Sequence, residues 1–250
     1  MSTENKKLII EKFREVRDRG FLPATRSHNT GIGKTFEDYI GKTEDNRCEP
    51  DLAGFEIKSH RDTSSSYITL LTKSPSFPRG ANTYLRDRFG TPYEEAPNLK
   101  KLHTSMFATC GNTYCGLYSF RLLDTPTARM LTIAVTDIGS GMLIDNSVGY
   151  TYDALERVFY RKLKNLFYIS AATRRRDDGE EFHFNRADIY TQPSFERFLH
   201  LIRTGKIMYD IRIGTYRRGR MAGRTHDHGS GFRIMESDLR LLYACHEAVE

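Results

Sequence analysis

One stretch, Pro50–His60, constrains the fold of this chain more than any other, and it reads PDLAGFEIKSH. Polar and apolar residues alternate along its second half, which predicts a β-strand over Gly54–His60. Because alternate side chains of a strand share a face, Glu56 and Lys58 project together while the apolar residues beside them point into a core. Asp51 stands at or before the start of the strand, where its side chain can lean towards Glu56. Two carboxylates and an ammonium on one face are costly to gather unless they bind something.

These residue types predict metal-assisted phosphate chemistry. Asp51 and Glu56 would hold Mg²⁺, which prefers carboxylate oxygens and keeps several waters. The metal would lower the pKa of a bound water, and Lys58 would orient that water or stabilise charge on the phosphate. This is the layout of the nuclease motif Pro-Asp…(Asp/Glu)-x-Lys. The same spacing also arises by chance, so an exposed strand with a Glu/Lys pair is the alternative interpretation.

A glycine-rich segment upstream, Thr30–Thr35, reads TGIGKT. It is not a P-loop, because the position five residues before Gly33 is His28 rather than glycine. The segment predicts instead a flexible entry to a helix over Thr35–Ile40. Glu37 lies on a different face of that helix from the inward apolar residues, so it can point towards the two carboxylates.

The remaining periodicity predicts a chain of mixed α/β class. Further helices are predicted over Glu4–Arg19, Ala81–Arg88, Tyr152–Lys164 and Ser194–Arg203. Further strands are predicted over Tyr67–Thr72, Tyr114–Leu123, Arg129–Asp137, Leu166–Thr173, Glu181–Tyr190 and Met208–Thr215. The strand Tyr67–Thr72 is expected to pair with Gly54–His60 as an antiparallel hairpin. Gly90–Leu102 is expected to be irregular, because it contains Pro92 and Pro97.

The basic charge of the chain is concentrated in one segment. The 250 residues carry a net charge of +6, and the stretch from Arg203 to Arg233 alone holds eight Lys or Arg and two acidic residues, again +6. Such a local excess predicts contact with a phosphate backbone. The residues of this segment predicted to contact DNA are Arg212, Tyr216, Arg217, His226, Asp227, His228 and Arg233.

The run Thr225–Gly229 has two interpretations. His226 and His228 would share one face of a strand and could bind a metal, but no further ligand stands close by and zinc sites want three or four. Donors and acceptors for base edges fit better, since Asp accepts from cytosine N4 and His can donate to guanine acceptors. A mobile, solvated basic loop is the alternative, against which the flanking strands argue.

Cysteine usage and the N-terminus indicate a compartment. Cys48, Cys110, Cys115 and Cys245 form no CxxC pair, so neither a zinc site nor a disulfide framework is expected. A reducing cytoplasm suits such a chain. The N-terminus leads into no long apolar run, so neither a signal peptide nor a membrane span is expected.

Seven blocks in chain order resemble the MvaI/BcnI group of type II restriction endonucleases, relatives of the mismatch-repair nicking enzyme MutH. The blocks are Thr30–Asp38, Pro50–Lys58, Leu71–Pro75, Pro78–Thr83, Ile144–Val148, Asp210–Gly214 and Thr225–Gly229. The resemblance implies an α/β fold of the restriction-endonuclease type, PD-(D/E)xK, with a mixed sheet flanked by helices. It also implies two lobes that clamp DNA in a cleft, a catalytic lobe at about 1–140 and a recognition lobe at about 150–250.

The resemblance assigns roles to the active-site candidates. Asp51 and Glu56 match the metal ligands of the family, and Lys58 matches its catalytic lysine. Glu37 matches its acidic residue on a helix and is expected to be a further catalytic residue and metal ligand.

It also assigns DNA contacts. His226, His228 and Arg233 fall on the block that reads base edges. Arg79 and Asn82 fall on a second block expected to touch DNA. Lys73, the first residue of the basic loop Lys73–Arg79, is also predicted to contact DNA.

The function implied is Mg²⁺-dependent hydrolysis of phosphodiester bonds in double-stranded DNA, with Mn²⁺ as a substitute. Members of the group read short CC/GG sites such as CCNGG variants and act as monomers. A prokaryotic cytoplasm and a cognate DNA methyltransferase are implied as setting and genetic partner. Two other functions stay open, a repair-type nicking enzyme that needs an activating partner and a DNA-binding module whose catalytic site has decayed.

Overall fold

The computed structural model describes residues 2–27, 31–41, 51–62, 67–177 and 179–250, and the contacts within the chain divide it into two compact units. The first unit comprises Met1–Ser66, Phe159–Ser194 and Glu236–Glu250. The second unit comprises Tyr67–Val158 and Phe195–Met235. Both units are assembled from separate segments, whereas the two lobes expected from the sequence were continuous. The assignment of catalysis and recognition to lobes remains a prediction.

The helices are α1 (Thr3–Arg17), α2 (Gly31–Tyr39), α3 (Ala81–Phe89), α4 (Tyr152–Leu163) and α5 (Phe195–Arg203), with short 3-10 helices at Pro126–Ala128 and Glu236–Leu242. The strands of the first half are β1 (Leu22–Pro23), β2 (Glu56–Arg61), β3 (Tyr67–Thr72), β4 (Thr91–Tyr93), β5 (Ala96–Met106), β6 (Tyr118–Thr125) and β7 (Met130–Asp137). The later strands are β8 (Leu143–Thr151), β9 (Asn165–Arg176), β10 (Gly179–Pro193), β11 (Ile207–Thr215), β12 (Thr225–Asp227), β13 (Gly231–Met235) and β14 (Tyr243–Val249). The α/β class expected from the sequence is confirmed.

In the described part of the first unit, a five-stranded mixed sheet runs in the order β1-β10-β9-β2, with β14 also paired to β10. β2 is parallel to β9, and the other pairs are antiparallel. α1 packs against this sheet through Ile9, Phe13 and Val16, which recur at helical spacing and are buried. The ring of Phe13 lies 5.9 Å from that of Phe167 on β9. One face of the sheet therefore packs on an aromatic core, and Glu56 and Lys58 of β2 lie on the opposite face.

The strand predicted over Gly54–His60 exists, but its pairing differs from the prediction. The expected hairpin with Tyr67–Thr72 is wrong, because β2 pairs in parallel with β9 and β3 pairs with β13. The two neighbouring strands in the sequence belong to different sheets. Apolar alternation sets which face of a strand is buried but does not select its partner, which depends on residues more than 100 positions away.

The second unit contains a sheet in the order β3-β13-β11-β5-β4, with β12 also paired to β11, and a separate antiparallel sheet β6-β7-β8 within the described residues. The expectation that Gly90–Leu102 is irregular is wrong, because β4 and β5 form an antiparallel pair there. Pro92 lies in β4, which is an edge strand of the sheet, where a missing backbone N–H is tolerated.

The helix expected to begin at Thr35 begins four residues earlier, at Gly31. A Cβ atom on Gly31 would stand 2.2 Å from the carbonyl oxygen of Arg26, so glycine permits this close approach. Thr35 is fully buried, and its hydroxyl accepts a hydrogen bond from the N–H of Thr25 at 3.0 Å. The segment expected to be flexible is thus the first turn of a packed helix. Four residues named in the sequence analysis lie outside the described residues: His28, Thr30, Cys48 and Pro50.

None of the helices in the described ranges combines the length and the apolar character that crossing a bilayer requires.

Candidate active site and nucleic-acid interface

A two-residue reverse turn precedes β2 and sets the geometry of the motif. Ala53 and Gly54 both have positive φ, 51° and 79°. Leu52 and Phe55 bracket them and exchange backbone hydrogen bonds of 3.1 and 2.8 Å. Positive φ at both central residues is characteristic of the primed turns that connect antiparallel chain segments. Because residues 52 and 55 are opposite one another, the next opposed positions are 51 and 56.

Asp51 is held against the start of β2 by a backbone donor. Its Oδ2 accepts a hydrogen bond from the N–H of Ile57 at 2.8 Å. Ile57 stands between Glu56 and Lys58 on the strand and points into the aromatic core. The four-residue spacing between the two acidic residues of the motif is therefore the spacing that a two-residue turn requires to bring them side by side.

Glu56 is a buried carboxylate with an ammonium on each oxygen. Its residue is 5% exposed. Lys58 Nζ lies 2.7 Å from Oε1, and Lys162 Nζ lies 3.2 Å from Oε2. The Glu56–Lys58 pair follows from strand alternation, as predicted. Lys162 was missed, because it comes from the last turn of α4 and nothing in the sequence near β2 points to it.

The polar face of β2 continues beyond the motif. His60, the next residue on that face, is buried, and its Nδ1 lies 3.5 Å from Glu236 Oε2. Tyr243 is buried as well, and burial raises the pKa of its phenol, with the negative charge of Glu56 adding to the effect. Tyr243 therefore stays protonated at neutral pH beside the carboxylate.

Glu37 is half-buried on α2, the helix that packs against β2. Across the described ranges, however, no three His, Cys, Asp or Glu side chains converge into a potential metal site. The structure thus brings together Asp51, Glu56 and Lys58, and the role of Glu37 as a metal ligand remains a prediction. Two carboxylates still fit Mg²⁺, which is commonly bound by one or two carboxylates with waters and phosphate oxygens completing its shell.

A second polar surface covers one face of the large sheet of the second unit. On β11 the residues Tyr209, Ile211 and Ile213 are buried in the core, as the alternation predicted. Asp210 and Arg212 occupy the other face of that strand, opposite Ser105 and His103 of β5. We call this face, with the residues of β12 and β13 that flank it, the polar face of the second unit.

Asp210 anchors two of the predicted DNA contacts. It is 2% exposed and accepts a hydrogen bond from Ser105 Oγ at 2.8 Å. Arg212 Nε donates to Asp210 Oδ2 at 2.8 Å, and Arg233 Nε lies 2.8 Å from the same oxygen as an ion pair without hydrogen-bond alignment. Arg233 also donates to Thr69 Oγ1 at 2.5 Å. Both guanidinium groups are therefore oriented before any ligand binds.

Aromatic rings form a contiguous row on the same face. Tyr216 stacks on His226 with ring centroids 4.2 Å apart and planes 9° from parallel, and His226 lies 3.9 Å from His228. His103 approaches His228 edge-on at 6.2 Å. A Cβ atom on Gly214 would stand 2.8 Å from His228 Nε2, so glycine at this position lets the ring approach the strand.

Two of these imidazoles have lowered pKa values. Desolvation lowers the pKa of His103, although the residue is exposed, and the nearby charges of His228, Arg212 and Lys101 add to the effect. Desolvation and His226 likewise lower the pKa of His228. At neutral pH both rings are therefore neutral, with one donor and one acceptor nitrogen each. His103 was missed because no strand was predicted at its position, directly after the segment Gly90–Leu102 that was expected to be irregular.

Asp227 and Asn82, both predicted to contact DNA, bind one another. Asn82 Nδ2 donates to Asp227 Oδ2 at 2.8 Å. Asp227 Oδ1 accepts from the N–H groups of Gly229 and Ser230 at 3.0 and 2.6 Å. The carboxylate of Asp227 thus joins α3 to the loop between β12 and β13, and any contact with DNA would be additional to this role.

The other predicted DNA contacts lie in exposed connections. Arg79 is exposed and Lys73 is partly exposed in the segment between β3 and α3. Arg217 pairs with Glu95 at 2.5 Å. It belongs to the loop 216–224, whose ends are joined by a hydrogen bond from the N–H of Tyr216 to the carbonyl of Arg224 at 2.9 Å. The flanking strands anchor this basic loop, as expected.

Comparison with known proteins places these features in a family. The sequence model of the MvaI/BcnI restriction endonuclease family matches residues 10–243. The solved structure of the restriction endonuclease MvaI in a complex with its cognate DNA substrate is 35% identical, covers 100% of both chains and has a TM-score of 0.91. The structure of MvaI in the absence of DNA is also 35% identical, covers 100% of this chain and 99% of its own, and has a TM-score of 0.65. A search among curated proteins gave no match.

Proposed function

We propose that this chain, which belongs to the MvaI/BcnI restriction endonuclease family and is therefore a site-specific DNA endonuclease, is a type II enzyme. It would hydrolyse double-stranded DNA with Mg²⁺ at a short CC/GG-type pseudopalindrome of the CCNGG kind. The observation that carries the proposal is the convergence of Asp51, Glu56 and Lys58 around one turn. A solvated Glu/Lys pair would not require a buried carboxylate at that position.

Asp51 and Glu56 would hold the metal, with Glu37 of α2 as a further candidate ligand, and Mn²⁺ would substitute for Mg²⁺. When bound, the ion would supply Lewis-acid activation of water and would neutralise charge on the phosphate. Lys58 keeps its ammonium fixed against Glu56 Oε1 at 2.7 Å. From there it would orient the attacking water and stabilise the negative charge that develops on the phosphoryl oxygens.

The reaction would be an in-line displacement. The oxygen of water forms a bond to phosphorus while the bond from phosphorus to the 3′-oxygen breaks. The 3′-oxygen gains a proton and leaves as a hydroxyl, and the phosphate stays on the 5′ end. The proton lost by water passes to solvent.

Recognition would use the polar face of the second unit. His226, His228 and Arg233 would read base edges, since imidazole and guanidinium N–H donors match the acceptors of guanine in the major groove. Arg212 and Tyr216 flank them on the same face. Lys73, Arg79 and the basic loop 216–224 would contribute phosphate contacts, which position DNA without reading it.

The chain supplies one set of Asp51, Glu56 and Lys58, so we propose that a monomer cuts one strand and then rebinds in the reverse orientation to cut the other. A cognate DNA methyltransferase would protect the host genome, and both proteins would act on DNA in the prokaryotic cytoplasm.

A plasmid cleavage assay tests the proposal. Purified protein with Mg²⁺ is expected to linearise a plasmid that carries a CCNGG site, and the Asp51→Ala and Lys58→Ala variants are expected to lose at least about a hundredfold in rate, as the loss of a preorganised charge implies. Lys7→Ala, a change at an exposed position of α1, is the control. Undiminished cutting by either active-site variant would reject the assignment.

The same assay separates the other two functions. A protein that nicks but never linearises the plasmid would be a nicking enzyme that needs a partner. A protein that binds DNA but cuts with neither Mg²⁺ nor Mn²⁺ would be a binding module. Sequencing the ends of the products would give the recognition site and the cut position.

A further inference from the structure

The Glu56 carboxylate is paired with two ammonium groups, one more than a single ion pair requires. Lys58 Nζ lies 2.7 Å from Oε1 and Lys162 Nζ lies 3.2 Å from Oε2. The two lysine side chains are 27% and 26% exposed, whereas that of Glu56 is 6% exposed. The catalytic motif accounts for Lys58. Lys162 stands outside the motif and reaches the site from another element, α4.

The formal charges show what the second lysine does. Asp51 and Glu56 contribute two negative charges, and Lys58 alone would leave the group with a net charge of −1. With Lys162 the four side chains are neutral. A buried carboxylate without sufficient compensation is strongly destabilised, so Lys162 stabilises the site as it stands.

The same lysine opposes a divalent ion. A cation bound by Glu56 would have to share a carboxylate whose second oxygen is already paired with an ammonium, and the two positive charges would repel at short distance. A DNA phosphate would bring the missing negative charge. Metal affinity would then be higher with DNA present than without it, and by thermodynamic linkage DNA affinity would be higher with metal.

We propose that Lys162 is a positioning residue that competes with the divalent ion for Glu56, holding the carboxylate in place without metal and weakening metal binding until DNA is bound. The proposal rests on the metal site proposed above. It assigns Lys162 no contact with the scissile phosphate.

The experiment measures Mn²⁺ binding to the whole protein without DNA, by electron paramagnetic resonance of the free ion. Lys162→Met is expected to bind Mn²⁺ at least about threefold more tightly than the wild type, since one repulsive charge is removed at short distance. Lys162→Arg keeps the charge and is expected to match the wild type. Lys164→Met removes the same charge two residues away at an exposed position and is also expected to match it.

A thermal measurement provides a second readout. In EDTA, Lys162→Met is expected to have a lower Tm than wild type, and saturating Mn²⁺ is expected to raise its Tm by more than it raises that of wild type or Lys164→Met. Lys162→Gln, which can still donate a hydrogen bond to Glu56, serves if the methionine variant does not fold.

The outcomes are separable. If the neutral variants bind Mn²⁺ no more tightly than wild type and gain no more in Tm, the proposed role of Lys162 is overturned. The proposed function would still stand if the wild-type enzyme cut DNA with metal. A wild-type protein that neither binds Mn²⁺ nor cuts DNA would overturn both.

Discussion

The backbone N–H of Ile57 donates a hydrogen bond to Asp51 Oδ2 at 2.8 Å, and this bond joins the two ends of the catalytic motif. Asp51 is consequently fixed relative to Glu56, because the N–H group that it binds belongs to the residue directly after Glu56. A carboxylate already held by a backbone hydrogen bond would need little reorganisation to bind a metal, as preorganised functional sites require. The turn at Ala53 and Gly54 makes this geometry possible.

The turn gives the first prediction. Gly54 has a φ of +79° and open space around its Cα, so Gly54→Ala is expected to lower the free energy of unfolding by about 1 kcal/mol through backbone strain alone. Ala53, at a φ of +51°, already bears such strain, and Ala53→Gly is expected to be neutral or slightly stabilising. Urea unfolding of the pair checks this. A Gly54→Ala protein as stable as wild type would show that the turn does not form.

The Asn82–Asp227 pair gives the second prediction. Asp227→Asn would turn an amide N–H₂ towards either the Asn82 donor or the backbone N–H groups of Gly229 and Ser230, so a loss of about 1–3 kcal/mol in unfolding free energy is expected. The double variant Asn82→Asp/Asp227→Asn restores one donor opposite one acceptor and is expected to recover most of the loss. A double-mutant cycle in urea measures the coupling, and additive losses would contradict it.

The row of rings gives a prediction about specificity. His226→Ala is expected to cost about 1–3 kcal/mol in binding to the cognate duplex and much less to a duplex with an altered site. Arg218→Ala, in the exposed basic loop, is expected to weaken binding to both duplexes alike and to reduce the salt dependence. Fluorescence anisotropy titrations at several salt concentrations measure both. Equal losses on the two duplexes for His226→Ala would remove it from base recognition.

The lowered pKa values of His103 and His228 give a prediction about pH. Because the folded pKa of each lies below the ordinary value of 6.5, the unfolded chain binds protons first as the pH falls. The stability contributed by the two neutral rings is thus fully present above pH 6.5 and is lost as the pH falls through their folded pKa values. In the double variant His103→Gln/His228→Gln, unfolding free energy is expected to decline less than in wild type between pH 7 and about pH 5. Parallel pH profiles would contradict this prediction.

Much of the first unit could be predicted from patterns of residues close together in the sequence. The alternation that points Phe55 and Ile57 into the core and Glu56 and Lys58 to the opposite face needs only the two-residue period of a strand. The spacing of Ile9, Phe13 and Val16 likewise identifies the buried stripe of α1. Such patterns are visible in a sequence because the interacting positions are a few residues apart.

The amino-acid sequence was sufficient for the α/β class, the family, the catalytic strand and the basic segment around β11 and β12, because each is written in residues close together along the chain. Tertiary structure alone placed Lys162 on Glu56, His103 beside His228 and β9 beside β2. It also gave Asp227 a role that the sequence did not predict, as a link between α3 and a loop. Those relationships join residues from about 100 to 145 positions apart. They depend on how distant segments pack together, and such packing leaves no local periodicity in the sequence.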